Sequence, residues 1–302
     1  MAKEFPLSDD AIEKWRRAGK ITKQARELAV SLVVPGARLE DVAEKVEGFI
    51  RAEGAKPAFP LNLSCDFWAA HYTPDIGDTR TFEAGQVVKV DIGAHVDGYP
   101  ADSAATVEVG GARRYGELVR ASKEALAAGV ETIGPDMGLS KVGEAIERTI
   151  GAYRLKPIHN LTGHMISRNL LHARKSVPNV ATKSTEVAKV GEVFAIEPFA
   201  TNGEGEVVNG APGNIYRFQA KRKVKDPDAA ALMAAIEEHH PSLPFAARWC
   251  KDLCKDAKKS VKLLRSAGVL YAYPVLVEKG QGWVSQHEHS VLITSSGAQL
   301  LT

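Results

Sequence analysis

The segment VVKVDIGAHVDGYPADSAATVEV, residues 87–109, constrains the fold of this chain more than any other stretch. The dipeptide Asp97-Gly98 near its centre favours a two-residue turn, so the segment predicts a β-hairpin. This turn would pair Gly93 with Asp102. Asp91 and Asp102 would then lie diagonally on one face of the ribbon, roughly 5–8 Å apart at their Cβ atoms.

Two carboxylates that converge on one sheet face repel each other unless a cation lies between them. A metal ion held by Asp91 and Asp102 is therefore one interpretation of the hairpin. The other interpretation is that Asp102 only ends a strand at the protein surface. The pair alone does not decide between them.

Three further segments place polar groups among apolar residues. LTGHMISRNLLHAR carries His164 and His172, whose even spacing predicts that both lie on one side of an extended strand. VFAIEPFA places Glu197, and WVSQHEHSVLI places Glu288, within otherwise apolar strands, where an unpaired carboxylate is destabilising. Alone, each residue has an ordinary structural explanation, as a core histidine or as the partner of an arginine. Together they favour a common site.

The combined set supplies four carboxylates and one imidazole, from Asp91, Asp102, His164, Glu197 and Glu288. Four negative charges balance two divalent cations, and oxygen-rich ligands with one histidine suit Co, Mn, Fe or Zn better than a thiolate metal or a structural zinc. Two such ions can lower the pKa of a water molecule and polarise a carbonyl group. His71, in WAAHYTP, and His172 stay free to contact a substrate.

The arrangement of the helices indicates an internal repeat. A long amphipathic helix is predicted from the possible caps at residues 8–10 to Leu32, and a second one follows the Pro35-Gly36 break. Strands dominate to about residue 109, and helical patterns return at 113–132 and 139–152. The pattern that begins at Pro35 recurs 100 residues later, at Pro135. Chance is the alternative, but a true duplication would give two α+β halves with a site between them.

Residues 217–270 differ in character and predict a small helical insertion in a chain that otherwise forms one catalytic domain over 1–302. Asp226-Pro227 begins one helix, and FAARWCKDLC, at residues 245–254, predicts the start of another. Residues 217–265 hold twelve Lys or Arg against six Asp or Glu. This charge suits a solvated helix face, and contact with ribosomal RNA is the alternative.

The composition excludes several other classes of protein. The formal net charge is only +2, which does not mark a nucleic-acid-binding protein. No apolar run approaches the roughly 20 residues that span a bilayer, and the first residues lack the apolar core of a signal peptide. The three cysteines, Cys65, Cys250 and Cys254, form neither a zinc knuckle nor a secreted disulfide framework. We expect a cytoplasmic enzyme without a membrane segment.

These motifs resemble those of the type 2 methionine aminopeptidases of peptidase family M24, in their short archaeal form, over essentially the whole chain. The matching segments are AFPLNLS at 58–64, AAHYTP at 69–74, VDIG at 90–93, TGH at 162–164, FAIEPFA at 194–200 and EH at 288–289. The ligand order Asp, Asp, His, Glu, Glu is highly specific. The resemblance implies an α+β pita-bread (creatinase/aminopeptidase) fold with pseudo-twofold halves, in which a helical insertion distinguishes type 2 from type 1.

The resemblance also implies roles for individual residues. Asp91 and Asp102 would hold one metal ion, Asp102, His164 and Glu197 the second, and Glu288 would bridge both. His71 and His172 match the two histidines that contact the scissile amide, and Phe59, Leu171 and Tyr273 match the pocket for the methionine side chain. Three positions depart from the family pattern: Arg174, His287 and Ile215. They leave the fine shape of the pocket open.

The predicted reaction is hydrolysis of the initiator methionine from nascent polypeptides when the second residue is small, with Glu197 as the proton shuttle. We expect a monomer, with ribosome contact as an open question. Two alternatives share the fold. An Xaa-Pro aminopeptidase or prolidase has the same ligands but usually an additional N-terminal domain. A ribosome-binding or RNA-binding pseudoenzyme without metal would have lost ligands, whereas all five are present here.

Overall fold

The computed structural model describes residues 7–111 and 113–302. The first long helix begins after Ser8, whose hydroxyl accepts a hydrogen bond from the backbone N–H of Ala11 and so caps the helix. The first part of the chain forms two helices and four strands: α1 (Asp9–Leu32), α2 (Leu39–Ala52), β1 (Lys56–Cys65), β2 (Trp68–Ala70), β3 (Val87–Val96) and β4 (Tyr99–Glu108).

The second part again begins with two helices and continues into strands. Its elements up to the third pair of helices are α3 (Gly116–Thr132), α4 (Leu139–Ala152), β5 (Lys156–Pro157), β6 (Thr162–Ile166), β7 (Ser176–Pro178), β8 (Val193–Ile196), β9 (Phe199–Thr201) and β10 (Val207–Phe218). The remaining elements are α5 (Pro227–His239), β11 (Phe245–Ala246), α6 (Ala257–Ser266), β12 (Leu270–Glu278), β13 (Val284–Gln286), β14 (Glu288–Thr294) and β15 (Gly297–Leu300).

The helices repeat at an offset of 100 residues, as the sequence predicts. The bounds of α2 and α4 differ by 100 at both ends, and α1 and α3 end at Leu32 and Thr132. Each helix pair is joined by a turn with one left-handed residue, Gly36 with φ 82° and Asp136 with φ 62°. One buried apolar cluster lies under α1 and α2, and a second under α3 and α4. The two halves therefore have separate cores.

One antiparallel sheet joins the halves, with the strand order β1-β3-β4-β14-β8-β6-β7 and with β15 also paired to β14. The junction is the pairing of β4 with β14, in which Ala104 lies opposite Glu288 and Ser103 opposite His289. Two smaller sheets have the orders β11-β10-β12-β2 and β13-β9-β5. Strands of both halves thus meet at the centre of the large sheet.

The excursion, defined here as residues 219–269, leaves and rejoins the sheet at neighbouring positions, because Phe218 at the end of β10 pairs with Leu270 at the start of β12. It has an apolar cluster of its own. The helix expected at Pro227 forms, with the Asp226 carboxylate as its cap. The helix expected from residue 245 is wrong, because that segment forms β11 and one 3₁₀ turn, Ala247–Cys250, and the next helix begins only at Ala257.

Among the described residues, no helix combines the length and the apolar character needed to cross a membrane.

Candidate metal centre

The hairpin that carries the two aspartates forms in the predicted register. Gly93 lies opposite Asp102 and Val96 opposite Tyr99. Asp97 and Gly98 have φ values of 50° and 84°, so both turn residues are left-handed, which a two-residue turn of this kind requires.

Five adjacent strands bring the predicted ligands to one place. In sheet order, β3 carries Asp91, β4 carries Asp102, β14 begins with Glu288, β8 is followed at once by Glu197, and β6 carries His164. Glu197 therefore lies in the break between β8 and β9. The sequence predicts a position inside a strand, so that prediction is wrong. The break frees its backbone from the sheet pairing.

Ligand atoms of several of these residues lie close enough together to bind the same cation. One ligand atom each from Asp102, His164 and Glu288 lies within 4.8 Å of the other two. The Nε2 atom of His164 is 3.7 Å from Asp102 Oδ2 and 3.7 Å from Glu197 Oε1. Asp91 joins the group through Gln286, whose Nε2 lies 3.4 Å from Asp91 Oδ2 and 3.3 Å from Glu197 Oε2.

The electrostatics of the cluster favour a bound cation. Burial raises the pKa of Asp91 to about 7. Burial and then the neighbouring carboxylates raise the pKa values of Asp102, Glu197 and Glu288 well above their usual range. One buried oxygen each of Asp91, Asp102 and Glu288 has no hydrogen-bond partner in the described structure. A divalent metal ion would bind such unpaired oxygens and offset their mutual repulsion. The residues therefore fit the metal ions that the family resemblance implies.

His71 follows the end of β2 and adopts the left-handed conformation, with φ 65°. Such a conformation is uncommon for a residue with a side chain, and it recurs at functional sites. The His71 ring meets the edge of the Tyr273 ring at a centroid distance of 5.6 Å, and its buried Nδ1 atom has no hydrogen-bond partner among the described residues. Burial and then the nearby His172 lower the pKa of His71 to about 4, so its ring is neutral at pH 7.

The extended strand expected from His164 to His172 is wrong. β6 ends at Ile166, and a tight turn over residues 167–170, with Asn169 left-handed, follows it. The turn nevertheless brings the two imidazoles together, with ring centroids 4.4 Å apart in an edge-to-face arrangement. His172 keeps contact with solvent, while burial and then the charge of Arg217 lower its pKa.

A cavity of about 260 Å³ contains this group of residues. All five predicted ligands, both histidines and all three predicted pocket residues, Phe59, Leu171 and Tyr273, line it. The excursion contributes Pro244 to the wall, and Ile215 and Leu276 add apolar surface. The cavity thus has an acidic floor, two imidazoles and an apolar wall.

Only one of the three departures from the family pattern affects this cavity. Ile215 lines it, whereas Arg174 is exposed and lies outside the lining. His287 lies in the one-residue break between β13 and β14 and outside the lining, and its Nδ1 atom is 2.8 Å from the hydroxyl of Ser122 on α3. Burial lowers the pKa of His287 to about 3.

The sequence analysis does not predict three amide side chains of the site, Gln286, Asn62 and Asn160. Gln286 bonds to two ligand carboxylates, and Asn62 lines the cavity with a buried amide oxygen that has no partner in the described structure. The spacing of Gln286 and Glu288 could have indicated the first, since residues two apart on a strand face the same side. Asn62 gives a similar indication, as a polar residue in the apolar run AFPLNLS.

A buried set of carboxylates and one imidazole, beside two further histidines in one cavity, defines a metal-dependent hydrolase. Residues 13–295 match the sequence profile of metallopeptidase family M24. The chain belongs to this family.

Individual relatives are similar to this chain over nearly its whole length. The methionine aminopeptidase of Methanocaldococcus jannaschii is 44% identical over 97% of this chain and 99% of its own length. Among solved structures, a thermophilic Arx1 is 20% identical with a TM-score of 0.84, covering 98% of this chain and 91% of that one. The methionine aminopeptidase of Thermotoga maritima is 24% identical with a TM-score of 0.72, covering 98% and 97%. These structures share the fold, so the predicted pita-bread fold is confirmed.

Proposed function

We propose that this chain is a type 2 methionine aminopeptidase that holds two divalent metal ions, of Co, Mn, Fe or Zn, between Asp91, Asp102, His164, Glu197 and Glu288. The observation that carries the proposal is the convergence of these five groups, with unpaired buried oxygens, in one cavity. The activity itself rests on the similarity to methionine aminopeptidases along nearly the entire chain, and the chain is a metallopeptidase that removes N-terminal methionine.

When bound, the metal ions would polarise the peptide carbonyl and lower the pKa of a water molecule. The side chains of the site supply the remaining functions. The two metal ions would neutralise the four carboxylates, and the free, neutral α-amine of a substrate would be a further ligand for one ion, which supports cleavage next to the first residue only. Glu197 lines the cavity beside His164, so its Oε atoms can take up a proton and pass it to the leaving amide nitrogen.

The two histidines are suited to bind the scissile amide. Both have lowered pKa values, so both are neutral at pH 7 and each can donate one hydrogen bond and accept another. A neutral donor held by the fold stabilises negative charge that develops on the substrate oxygen. His71 is the better placed of the two, because its buried Nδ1 has no partner among the described residues.

The apolar wall supports methionine as the first residue of the substrate. Phe59, Leu171 and Tyr273 surround a space that suits a flexible, unbranched and polarisable side chain. The whole cavity measures about 260 Å³, below the roughly 300–1,000 Å³ of pockets that take drug-sized ligands. Only a small second residue would fit beside the two histidines.

The excursion supports type 2, because it inserts helices between two paired strands and adds Pro244 to the cavity wall. We assign it, with its flanking residues 217–270, as the insertion subdomain of a single catalytic domain. Part of its positive charge is neutralised within the fold, as in the 2.8 Å contact of Lys259 with Asp226. This supports a solvated face over a ribosome contact, and one chain supplies the whole site, which supports a monomer. Nascent polypeptides are made in the cytoplasm, which is the compartment that the activity implies.

Two alternative functions predict different behaviour. An Xaa-Pro aminopeptidase would accept many first residues and require proline second, and a pseudoenzyme would cleave nothing with any metal. A peptide series that differs only in the first two residues, assayed with each of the four metals, separates them. We expect Met-Gly, Met-Ala and Met-Ser peptides to be cleaved, and Met-Lys, N-formyl-Met-Ala and Ala-Pro peptides to stay intact. Cleavage of the Ala-Pro peptide with Met-Ala-Ser left intact would refute the proposal.

A further inference from the structure

The sheet face that lines the catalytic cavity continues along β10 and β12 to the protein surface. Ile215 of β10 and Tyr273 of β12 line the cavity. Arg217 and Tyr271 lie two residues further along the same strands, towards the excursion, and both are exposed. They are directly opposite each other in the pairing of the two strands.

The alternation of side chains along the two strands puts this exposed pair on the cavity side of the sheet. Residues two apart on a strand share a face, and so do directly opposed residues of two antiparallel strands. The intervening residues, Tyr216 and Ala272, pair with each other and pack into the apolar cluster of the excursion on the opposite face. Arg217 and Tyr271 therefore extend the face that lines the cavity.

A row of ring contacts connects the exposed pair to His71. The Tyr273 ring, which meets the His71 ring on one side, contacts the Tyr271 ring in an edge-to-face arrangement with a centroid distance of 5.2 Å. The guanidinium of Arg217 lies over the Tyr271 ring, 5.9 Å from its centroid. This cation–π contact favours a position of the guanidinium beside the cavity.

Arg217 lies close to His172, on the side of the site where the polypeptide leaves. After burial, the charge of Arg217 is what lowers the pKa of His172. The same charge acts on Tyr273, where it opposes the rise in pKa that burial causes. Since His172 is one of the two histidines proposed to bind the scissile amide, Arg217 lies beside the part of the substrate that follows this bond.

The positive charge of Arg217 is not compensated within the fold. Other cations of the same region have acidic partners, as in the 2.6 Å contact of Lys221 with Glu237. Arg217 forms neither an ion pair nor a side-chain hydrogen bond with any residue that the structure describes, and its one recorded partner is the Tyr271 ring. Two divalent ions would balance the four ligand carboxylates, so the loaded site would not neutralise Arg217 either.

The third residue of a polypeptide substrate is the first that would lie outside the two histidines. In the proposed function, the second residue lies beside His71 and His172, where only a small side chain fits. An extended chain advances by about 3.3–3.6 Å per residue, so the next side chain emerges immediately beyond them. Arg217, the cation next to His172, is available to this side chain.

We propose that Arg217 and Tyr271 bind the third residue of the polypeptide substrate and favour glutamate or aspartate at that position. This inference rests on the proposed function, since it extends the same substrate by one residue. The guanidinium supplies the attraction for a carboxylate, and the Tyr271 ring supplies apolar contact for the methylene groups that carry it. A lysine or arginine at the third position would instead be repelled by Arg217.

The test compares three tetrapeptides, Met-Ala-Glu-Ala, Met-Ala-Gln-Ala and Met-Ala-Lys-Ala, each with an amidated C-terminus so that no terminal carboxylate competes for Arg217. For the unaltered protein at low salt, kcat/KM should be about two- to fivefold higher for the Glu peptide than for the Gln peptide, which is the range that exposed ion pairs supply. The Lys peptide should be the poorest. The preference should shrink as salt screens the charges.

Charge reversal gives the second part of the test. In Arg217→Glu the order of the Glu and Lys peptides should reverse, and in Arg217→Gln the two values should become equal. The ratio of the two peptides is compared within each variant, so an altered His172, which would affect all three peptides alike, does not change it. Tyr271→Ala should reduce the preference for the Glu peptide without reversing the order.

The matched control is Arg148→Glu, which makes the same change of charge at an exposed position on α4, outside the cavity lining. This variant should keep the original order and ratio of the three peptides.

Two results would overturn the proposal: equal values for the Glu and Lys peptides on the unaltered protein at low salt, or a ratio that Arg217→Glu and Arg148→Glu change equally. Failure of the proposed function looks different, because none of the three peptides, nor Met-Ala-Ser, would then be cleaved.

Discussion

Glu47 and Arg248 form a two-point ion pair across the interface between α2 and the excursion, with 2.8 Å from Nη1 to Oε2 and 2.8 Å from Nη2 to Oε1. Both side chains are 1% exposed. Arg248 also donates to the carbonyl of Pro74 at 2.9 Å and to the hydroxyl of Thr73 at 3.1 Å. One guanidinium thus connects the excursion, the first half and the loop that carries His71.

Replacing Arg248 by Met should destabilise the protein by about 3–5 kcal/mol, because it leaves the buried carboxylate of Glu47 without its partner. Urea unfolding of the variant measures the loss of free energy. The matched control is Lys251→Met, which removes a partly exposed lysine from the same interface, where it pairs with Glu44 and with Glu40. Since Arg38 still pairs with Glu40, this change should cost at most about 1 kcal/mol. Similar losses in the two variants would show that the buried pair contributes no more than a surface pair.

Replacing His71 by Ala should separate catalysis from metal binding. His71 lies outside the ligand set, so the variant should bind metal normally, while turnover of Met-Ala-Ser should fall roughly 10²-fold or more if the ring stabilises developing charge. Elemental analysis and steady-state kinetics check the two parts. His159→Ala, an exposed position outside the cavity, should leave both unchanged. Loss of metal in the His71 variant would instead assign this residue to the metal site.

Replacing Glu288 by Ala should weaken both metal sites together, since we propose that one carboxylate bridges them. Elemental analysis of the unaltered protein, after dialysis with metal in excess, should give about two ions per chain, because four carboxylates need two divalent charges for neutrality. The Glu288 variant should retain less than one. Glu131→Ala, exposed on α3, is the control for a lost surface charge. One ion per chain in the unaltered protein, or two in the Glu288 variant, would contradict the dinuclear site.

The metal-free protein should lose stability as the pH rises. The pKa of Asp91 is raised to about 7 in the folded state, and those of Asp102, Glu197 and Glu288 are also raised well above their usual range, against about 3.9–4.3 for these groups in the unfolded chain. Between its unfolded and its folded pKa each group binds more protons in the folded state than in the unfolded state, so the free energy of unfolding falls as the pH rises from about 4 to about 7. Bound metal should remove this dependence.

Urea unfolding at several pH values, with and without metal, provides the measurement. The gap in stability between the loaded and the metal-free protein should widen with pH, and Asp91→Asn should flatten part of the slope. A metal-free protein whose stability is constant over this range would show that the carboxylates are not forced together when no metal is present.

Local chemistry explains which features the sequence predicts correctly. The hairpin register follows from the turn dipeptide alone, and the ends of α2 and α4 follow from periodicity and the breaks before them. The sequence pattern misplaces His172 because the turn before it uses Asn169 in the left-handed conformation, with neither Gly nor Pro in residues 167–170 to indicate a turn. The helix expected at residue 245 fails because the first residues of that segment pair with β10 instead.

Local sequence patterns do not predict which residues far apart in the chain contact each other. The seam between the halves pairs Ser103 with His289, and the buried ion pair joins residues 201 positions apart. The residues that flank each of these positions in the chain do not indicate which distant residue it contacts. The sequence predicts the ligand set only because carboxylates and histidines within apolar strands are destabilising unless they form a common site, whichever strands are adjacent.

Gly93 determines the shape of the proposed methionine pocket, because it lies opposite Phe59 in the pairing of β1 with β3. A Cβ atom at this position would lie 2.5 Å from the Phe59 ring and 2.8 Å from the carbonyl oxygen of Ala101. In Gly93→Ala the backbone contact leaves little room for the strand to move, so the Phe59 ring must shift within the pocket. We expect KM for Met-Ala-Ser to rise about tenfold or more and stability to fall by about 1–3 kcal/mol. Gly134→Ala, where an added Cβ meets no atom within 4 Å, is the control and should change neither quantity. A Gly93 variant that loses stability but keeps its KM would show that the Phe59 ring does not contact the methionine side chain.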